Sequence, residues 1–379
     1  MRIQNYAKRM VCLASAAVMA ASLTACGGNA AATAEPTVGT TAAAEATKAA
    51  ETKNEETKAP ETKAEAKAEK GVDKIVMVWY PNESASDYEP AREEFGRLIS
   101  EATGKPVEQK LTTDYSIAIE SLANGTAQIC FMGAQGYVEA KNKNDAVKPL
   151  FVNSGASGTL DDAIYYSWLC VNEADAANYQ SLDDIEGKKM SFVSNSSTSG
   201  FKVPTNSIIS YFTQKDEWKD MDIDDLIEGD GFFSEVLFGG SHQGSAVNLL
   251  TGKADVAAFC DTEMAPYAEV VSGTENRDGA VYAIKENASA PFDTLVGKKY
   301  TILKSTPVLN GPFAYNSETL TEEEVKKIQD LMTSDEVTNN PQIFVTKESG
   351  MVGMFKKTDK EKILTVEDSW YDPIRELSE

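Results

Sequence analysis

The chain has 379 residues, 42% of them hydrophobic, with 36 Lys and Arg against 59 Asp and Glu and a formal net charge of −23. That balance excludes a nucleic-acid partner and any broad basic surface, so an anionic ligand here must be held by local neutral donors. A single histidine and no paired cysteine spacing exclude the common zinc clusters, and no cofactor or metal is expected.

Arg2, Lys8 and Arg9 precede a short apolar core from Met10 to Ala21, followed by Leu23-Thr24-Ala25-Cys26. The apolar run is too short and wrongly flanked for a mature membrane helix, and it reads as an export signal over residues 1–25. Leu23 to Cys26 has the pattern of a bacterial lipobox. That implies cleavage before Cys26, lipidation of Cys26 and a stable membrane anchor on the extracytoplasmic face. A plain secretory signal with an incidental cysteine is the alternative. After Cys26, the stretch to residue 70 is almost entirely Ala, Thr, Glu and Lys, with no aromatic residue. Residues 26–70 are therefore expected to be a lipidated cysteine and a disordered tether. A long tether suits a protein held beyond a thick cell wall, as in a Gram-positive-type bacterium.

The roughly 300 residues that follow are enough for two lobes. Lys74 to Tyr80 is a near-continuous apolar strand leading into Pro81-Asn82-Glu83-Ser84. A helix from about Tyr88 to Thr103 then closes at Gly104. Two segments, Ile119 to Phe131 and Val247 to Ala258, repeat one pattern: a leucine-bearing helix, a Gly stop and a short β-rich run. Tyr165 to Val171 is a further strand, and Ser181 to Lys189 is a capped turn before the next. Thr321-Glu322-Glu323-Glu324 opens an amphipathic helix through Met332. Cys130, Cys170 and Cys260 each lie in an apolar run and read as buried free thiols. Helix–strand units of this kind build α/β sheets, with ligands at the strand ends.

Ser194-Asn195-Ser196-Ser197-Thr198-Ser199-Gly200 lies between the strand Lys189 to Val193 and a helix from Phe201 to Phe212. Hydroxyls at a helix start make an anion cradle, because free backbone N–H groups and the helix dipole point the same way. An ordinary serine-rich loop with one N-cap fits the same residues.

From about Lys74 to Met332 the chain resembles the PhnD-like phosphate, phosphite and phosphonate substrate-binding lipoproteins of ABC importers. The resemblance is carried by Asn195-Ser196-Ser197-Thr198-Ser199-Gly200-Phe201 with Val203-Pro204, and by Gly240-Ser241-His242 with Gly252-Lys253-Ala254-Asp255-Val256-Ala257. Asp114-Tyr115 and Tyr165-Tyr166-Ser167 match more weakly. It implies an α/β, two-lobed periplasmic-binding-protein-like fold of type II with the ligand cleft between the lobes. Residues 71–171 and 305–379 would form lobe one and 172–304 lobe two, with a C-terminal helix near Trp370 and Tyr371 on lobe one.

Carried onto this sequence, the resemblance makes Ser197, Thr198, Ser199 and His242 donors to a phosphoryl group. Tyr115 and Tyr165 would supply hydroxyls or ring walls from the other lobe. Glu263 matches a family acid that holds a ligand ammonium, whereas no acid stands near Leu309-Asn310-Gly311-Pro312, where a second is expected. That departure leaves phosphate, phosphite or a simple alkylphosphonate as ligand. The implied partners are that small oxyanion and the transmembrane subunits of an ABC permease, with the receptor itself a monomer. A sensor or scavenger lobe without transport is an alternative. A serine hydrolase using Ser197 or Ser199 with His242 is another, but the chain has no Gly-x-Ser-x-Gly elbow and no second histidine, so no catalytic residue is expected.

Overall fold

The apolar run Ile75–Trp79 is a strand buried at every position, which suits the interior of a parallel ladder covered on both faces. In the computed structural model, which describes residues 71–377 apart from 85, 229, 230 and 350, it pairs in parallel with Val107–Leu111 on one side and Ile129–Phe131 on the other. The export signal at residues 1–25, Cys26 and the tether to residue 70 lie outside the described residues. The six-stranded sheet around Ile75–Trp79 runs in the order Ile363–Leu364, Val147–Asn153, Phe313–Asn316, Ile129–Phe131, Ile75–Trp79, Val107–Leu111. Phe313–Asn316 enters antiparallel to both its neighbours.

A second, seven-stranded sheet has the order Glu235–Phe238, Lys189–Phe192, Val256–Cys260, Ile164–Asn172, Lys299–Leu309, Val281–Ile284, Ala268–Ser272. Its first three strands are parallel, and the rest pair antiparallel. The two sheets with their helices form the two lobes. The sheet-to-sheet passages lie at 154–163 and 310–312, not at the 171/172 and 304/305 boundaries drawn from sequence. Ile164–Asn172 and Lys299–Leu309 pair with each other along almost their whole lengths, from Ile164 opposite Leu309 to Asn172 opposite Tyr300, and so stay together in the second sheet.

Local signals explain the helices. Glu89–Thr103 has Pro90 in its first turn and ends at Gly104, whose φ of 72° is the left-handed conformation that glycine adopts without strain. Its Ala91, Phe95, Leu98 and Ile99 recur at helical spacing and are buried, and Phe95 packs beside Trp79 with ring centroids 6.1 Å apart. The repeated helix–Gly–strand pattern appears as Tyr115–Ala123 before Ile129–Phe131 in one lobe and His242–Leu250 before Val256–Cys260 in the other. Gly125 and Gly252 follow these helices at φ 77° and 74°. Thr321 and Glu324 form a capping box for Glu322–Met332. Cys130, Cys170 and Cys260 are buried free thiols.

The segment near residue 350, for which the sequence offers no reading, contains a two-stranded parallel ladder of Phe344–Val345 with Phe355–Lys356. Phe355 lies 6.2 Å from both Phe95 and Phe131, so the ladder is pinned to the first lobe by aromatic packing. Near the C-terminus, Asp372–Glu376 is a short helix, with the Tyr371 ring packed at a tilt 5.0 Å from that of Tyr137 in the first lobe. Among the described residues no helix is long and apolar enough to cross a membrane.

Candidate ligand cleft between the lobes

Parallel strands present their C-terminal ends on one edge, and the loops that follow them converge there. In the first lobe, Asn82 and Glu83 follow Ile75–Trp79, Tyr115 follows Val107–Leu111, and Met132 and Gly133 follow Ile129–Phe131. In the second, Ser197 to Ser199 follow Lys189–Phe192, His242 follows Glu235–Phe238, and Glu263 follows Val256–Cys260. Together they enclose a cavity of about 90 Å³. All seven residues singled out from sequence, Ser197, Thr198, Ser199, His242, Tyr115, Tyr165 and Glu263, line it. Tyr165 comes from Ile164–Asn172 of the second sheet and not from the opposite lobe, because that strand has already left the first lobe at residue 163.

The serine-rich run is a helix entry. Ser197 accepts the Gly200 N–H at 3.1 Å as N-cap, and Thr198–Lys202 forms a π-turn that continues into the α-helix Val203–Phe212. Thr198 Oγ1 accepts the Gln135 N–H of the first lobe at 2.9 Å. That approach is close because Gly133 has no side chain; a Cβ there would lie 2.6 Å from Thr198 Oγ1. The Ser199 carbonyl is tied to Ser167 Oγ at 2.6 Å. The Thr198 and Ser199 hydroxyls face Tyr165, and the Ser197 hydroxyl faces Tyr115.

His242 opens the helix His242–Leu250, capped by Ser241. Its backbone N–H donates to Asn82 Oδ1 at 3.1 Å, and Asn82 Nδ2 donates to the Tyr115 hydroxyl at 2.7 Å, which links the lobes in one chain of contacts. His242 is 4% exposed, and Nδ1 has no hydrogen-bond partner among the described residues. Burial lowers its pKa to about 3, so the ring is neutral at physiological pH and keeps one donor and one acceptor nitrogen.

The rest of the lining is neutral or acidic. Burial pushes the Tyr115 and Tyr165 phenols far up, so both stay protonated donors. Burial also raises Glu263 to about 7, against the opposing hydrogen bonds from Gln243 at 3.2 Å and Tyr88 at 3.3 Å. No lysine or arginine is among the lining residues. Hydroxyl, phenol and imidazole donors in a dry cleft can hold an oxyanion without a countercharge, because each hydrogen bond strengthens in low dielectric. Among the described residues no group of His, Cys, Asp and Glu is arranged to hold a metal ion.

Sequence reasoning missed Glu83, Asn310, Gly311, Met354 and Phe355, which also line the cavity. Glu83 had a readable signal, since it directly follows the first parallel strand. Asn310 and Gly311 stand where an acid was expected; Asn310 instead donates to the Asn153 carbonyl at 2.9 Å and helps close the passage between the sheets. Met354 and Phe355 arrive from the small ladder, which no local pattern announces.

The comparisons agree with this architecture. The Phosphate-import protein PhnD of Mycolicibacterium smegmatis is 28% identical over 199 residues, 52% of this chain and 57% of that relative's length. The chain thus spans little more than half of the curated relative it matches. Among solved structures, a binding-protein component of an ABC phosphonate transporter from Pseudomonas aeruginosa superposes with a TM-score of 0.57 at 19% identity, covering 80% of this chain and 85% of that one. PhnD1 of Prochlorococcus marinus in complex with methylphosphonate gives a TM-score of 0.58 at 15% identity, covering 81% and 97%. Both share the fold. A family model described as the periplasmic substrate-binding protein of the phosphonate ABC transporter matches residues 77–371, and the chain belongs to that family.

Proposed function

We propose that this protein is a lipid-anchored extracytoplasmic solute receptor of an ABC importer. It binds a small phosphorus oxyanion (a phosphonate, phosphite or phosphate) between its lobes and delivers it to a permease. The observation that carries this reading is the convergence of Ser197, Thr198, Ser199, Tyr115, Tyr165 and His242 on one interlobe cavity that no lysine or arginine lines. The names of the relatives support phosphate and methylphosphonate as the first ligands to test. The apolar side of the cavity, with Phe131, Met132, Met354 and Phe355, suits a short alkyl group on the phosphorus.

A hydrolase gains no support from the geometry. Ser197 Oγ is engaged as a helix cap, and among the described residues no carboxylate orients His242 through Nδ1. The test is a thermal-shift panel on the protein from Gly71 onward. Micromolar methylphosphonate, phosphite or phosphate is expected to raise the melting temperature, with no turnover by phosphorus NMR. A panel without any shift would sink the receptor reading.

A further inference from the structure

Two buried carboxyls face the cavity from opposite lobes. Glu83, 3% exposed, follows Ile75–Trp79 of the first sheet, and Glu263, 9% exposed, follows Val256–Cys260 of the second. Glu263 Oε2 accepts from Gln243 and Tyr88, whereas Glu83 Oε2 has no hydrogen-bond partner among the described residues. Tyr80, Tyr115 and Cys130 face Glu83, while Tyr88, Tyr267, Cys260 and Asp261 face Glu263. Arg92 of helix Glu89–Thr103 acts on Glu83, and its guanidinium donates to the Glu83 carbonyl oxygen. Its pull on the Glu83 carboxyl is weaker than the push from Glu263.

We propose that Glu83 and Glu263 form a proton-sharing carboxyl pair that takes up one proton from solvent when the cleft closes on an oxyanion. This rests on the oxyanion reading above. With the lobes apart, each carboxyl is hydrated and ionised at neutral pH. Closure brings both into one dry space with a third negative group, and two ionised carboxyls in such a site cannot both persist. The proton settles on one carboxyl oxygen and donates to the other carboxylate or to the ligand; no bond of the ligand forms or breaks. The directions of the pKa shifts agree: burial and then Glu263 raise Glu83, and burial raises Glu263. Glu83 is thereby assigned as a proton-linked binding residue.

The experiment is calorimetric titration of the purified protein with methylphosphonate at pH 7, in two buffers of different protonation enthalpy. Comparison with Glu83→Gln and Glu263→Gln subtracts the protons that belong to the ligand. Wild type is expected to take up about one proton more than either variant, and its affinity to fall up to about tenfold more per pH unit above neutrality. If Glu83→Gln does not fold, as judged by near-UV circular dichroism, Glu263→Gln carries the comparison. Equal proton counts in wild type and a folded variant overturn the pair while leaving the receptor reading intact. No binding heat from wild type with methylphosphonate, phosphite or phosphate overturns both.

Discussion

Ser197, Thr198 and Ser199 are three adjacent hydroxyls with three different tasks. Ser197 satisfies an otherwise orphaned N–H of its own helix, Thr198 receives an N–H from the other lobe, and Ser199 is held by its carbonyl with its hydroxyl towards Tyr165. Ser197→Ala is therefore expected to cost about 1 kcal/mol of stability, a drop of a few degrees in scanning fluorimetry without ligand. Ser199→Ala should leave that melting point nearly unchanged and weaken oxyanion binding roughly tenfold or more, since a hydrogen bond to a charged group contributes about 1.5–3 kcal/mol. Equal losses of apo stability in the two variants would assign Ser199 a structural role instead.

At the level of elements, caps decide where the side chains that line the cleft sit. Asp114 Oδ1 accepts both the Ser116 N–H and the Ser116 hydroxyl at 2.7 Å, fixing the first turn of the helix that carries Tyr115. Asp114→Ala should lower stability by about 1 kcal/mol and also weaken ligand binding, with Asp114→Asn restoring most of both in the same fluorimetry and calorimetry. Signals of this local kind are what made the chain legible. Gly104, Gly125 and Gly252 at left-handed φ, the Thr321–Glu324 box and the hydroxyl run before Val203 all announce their elements in a few residues.

What was not legible depends on partners distant in sequence. No sequence reading placed the strand Lys299–Leu309, and only its pairing with Ile164–Asn172 shows where the lobes divide. Phe355 reaches the cavity through contacts with Phe95 and Phe131, more than 200 residues earlier in the chain. No acid stands beside Asn310, where a second was expected; the other acid that lines the cavity with Glu263 is Glu83, from the end of the first strand.

For the whole molecule, burying titratable groups between the lobes makes stability depend on pH in two opposed ways. His242 has a folded pKa of about 3 against 6.5 ordinarily, so the unfolded chain binds more protons between those values and stability rises with pH across that window. Glu263 has a folded pKa of about 7 against 4.5, so the folded state binds more protons there. Its contribution is complete below 4.5 and is lost as pH rises through 7. Where the ligand-free lobes stay closed, Glu263→Gln should therefore melt several degrees above wild type at pH 8, with the gap closing towards pH 4.5; where they part, water restores the ordinary carboxyl and no gap appears. A gap that is constant across pH would mean that Glu263 titrates normally in the fold.

The order of strands also sets a timetable for synthesis. Every strand of the second sheet lies between residues 164 and 309, so that lobe is complete as soon as this stretch has emerged. The first sheet is not: Phe313–Asn316 inserts between Ile129–Phe131 and Val147–Asn153, so until it arrives Val147–Asn153 has no bridge to the parallel strands. A fragment spanning 154–311 is expected to unfold cooperatively by itself in urea, and one spanning 71–153 to give no cooperative transition. The half of the cleft that carries the Ser-Thr-Ser run and His242 is thus built first, and the half opposite it waits for a strand encoded about 180 residues after its neighbour Ile129–Phe131 is made.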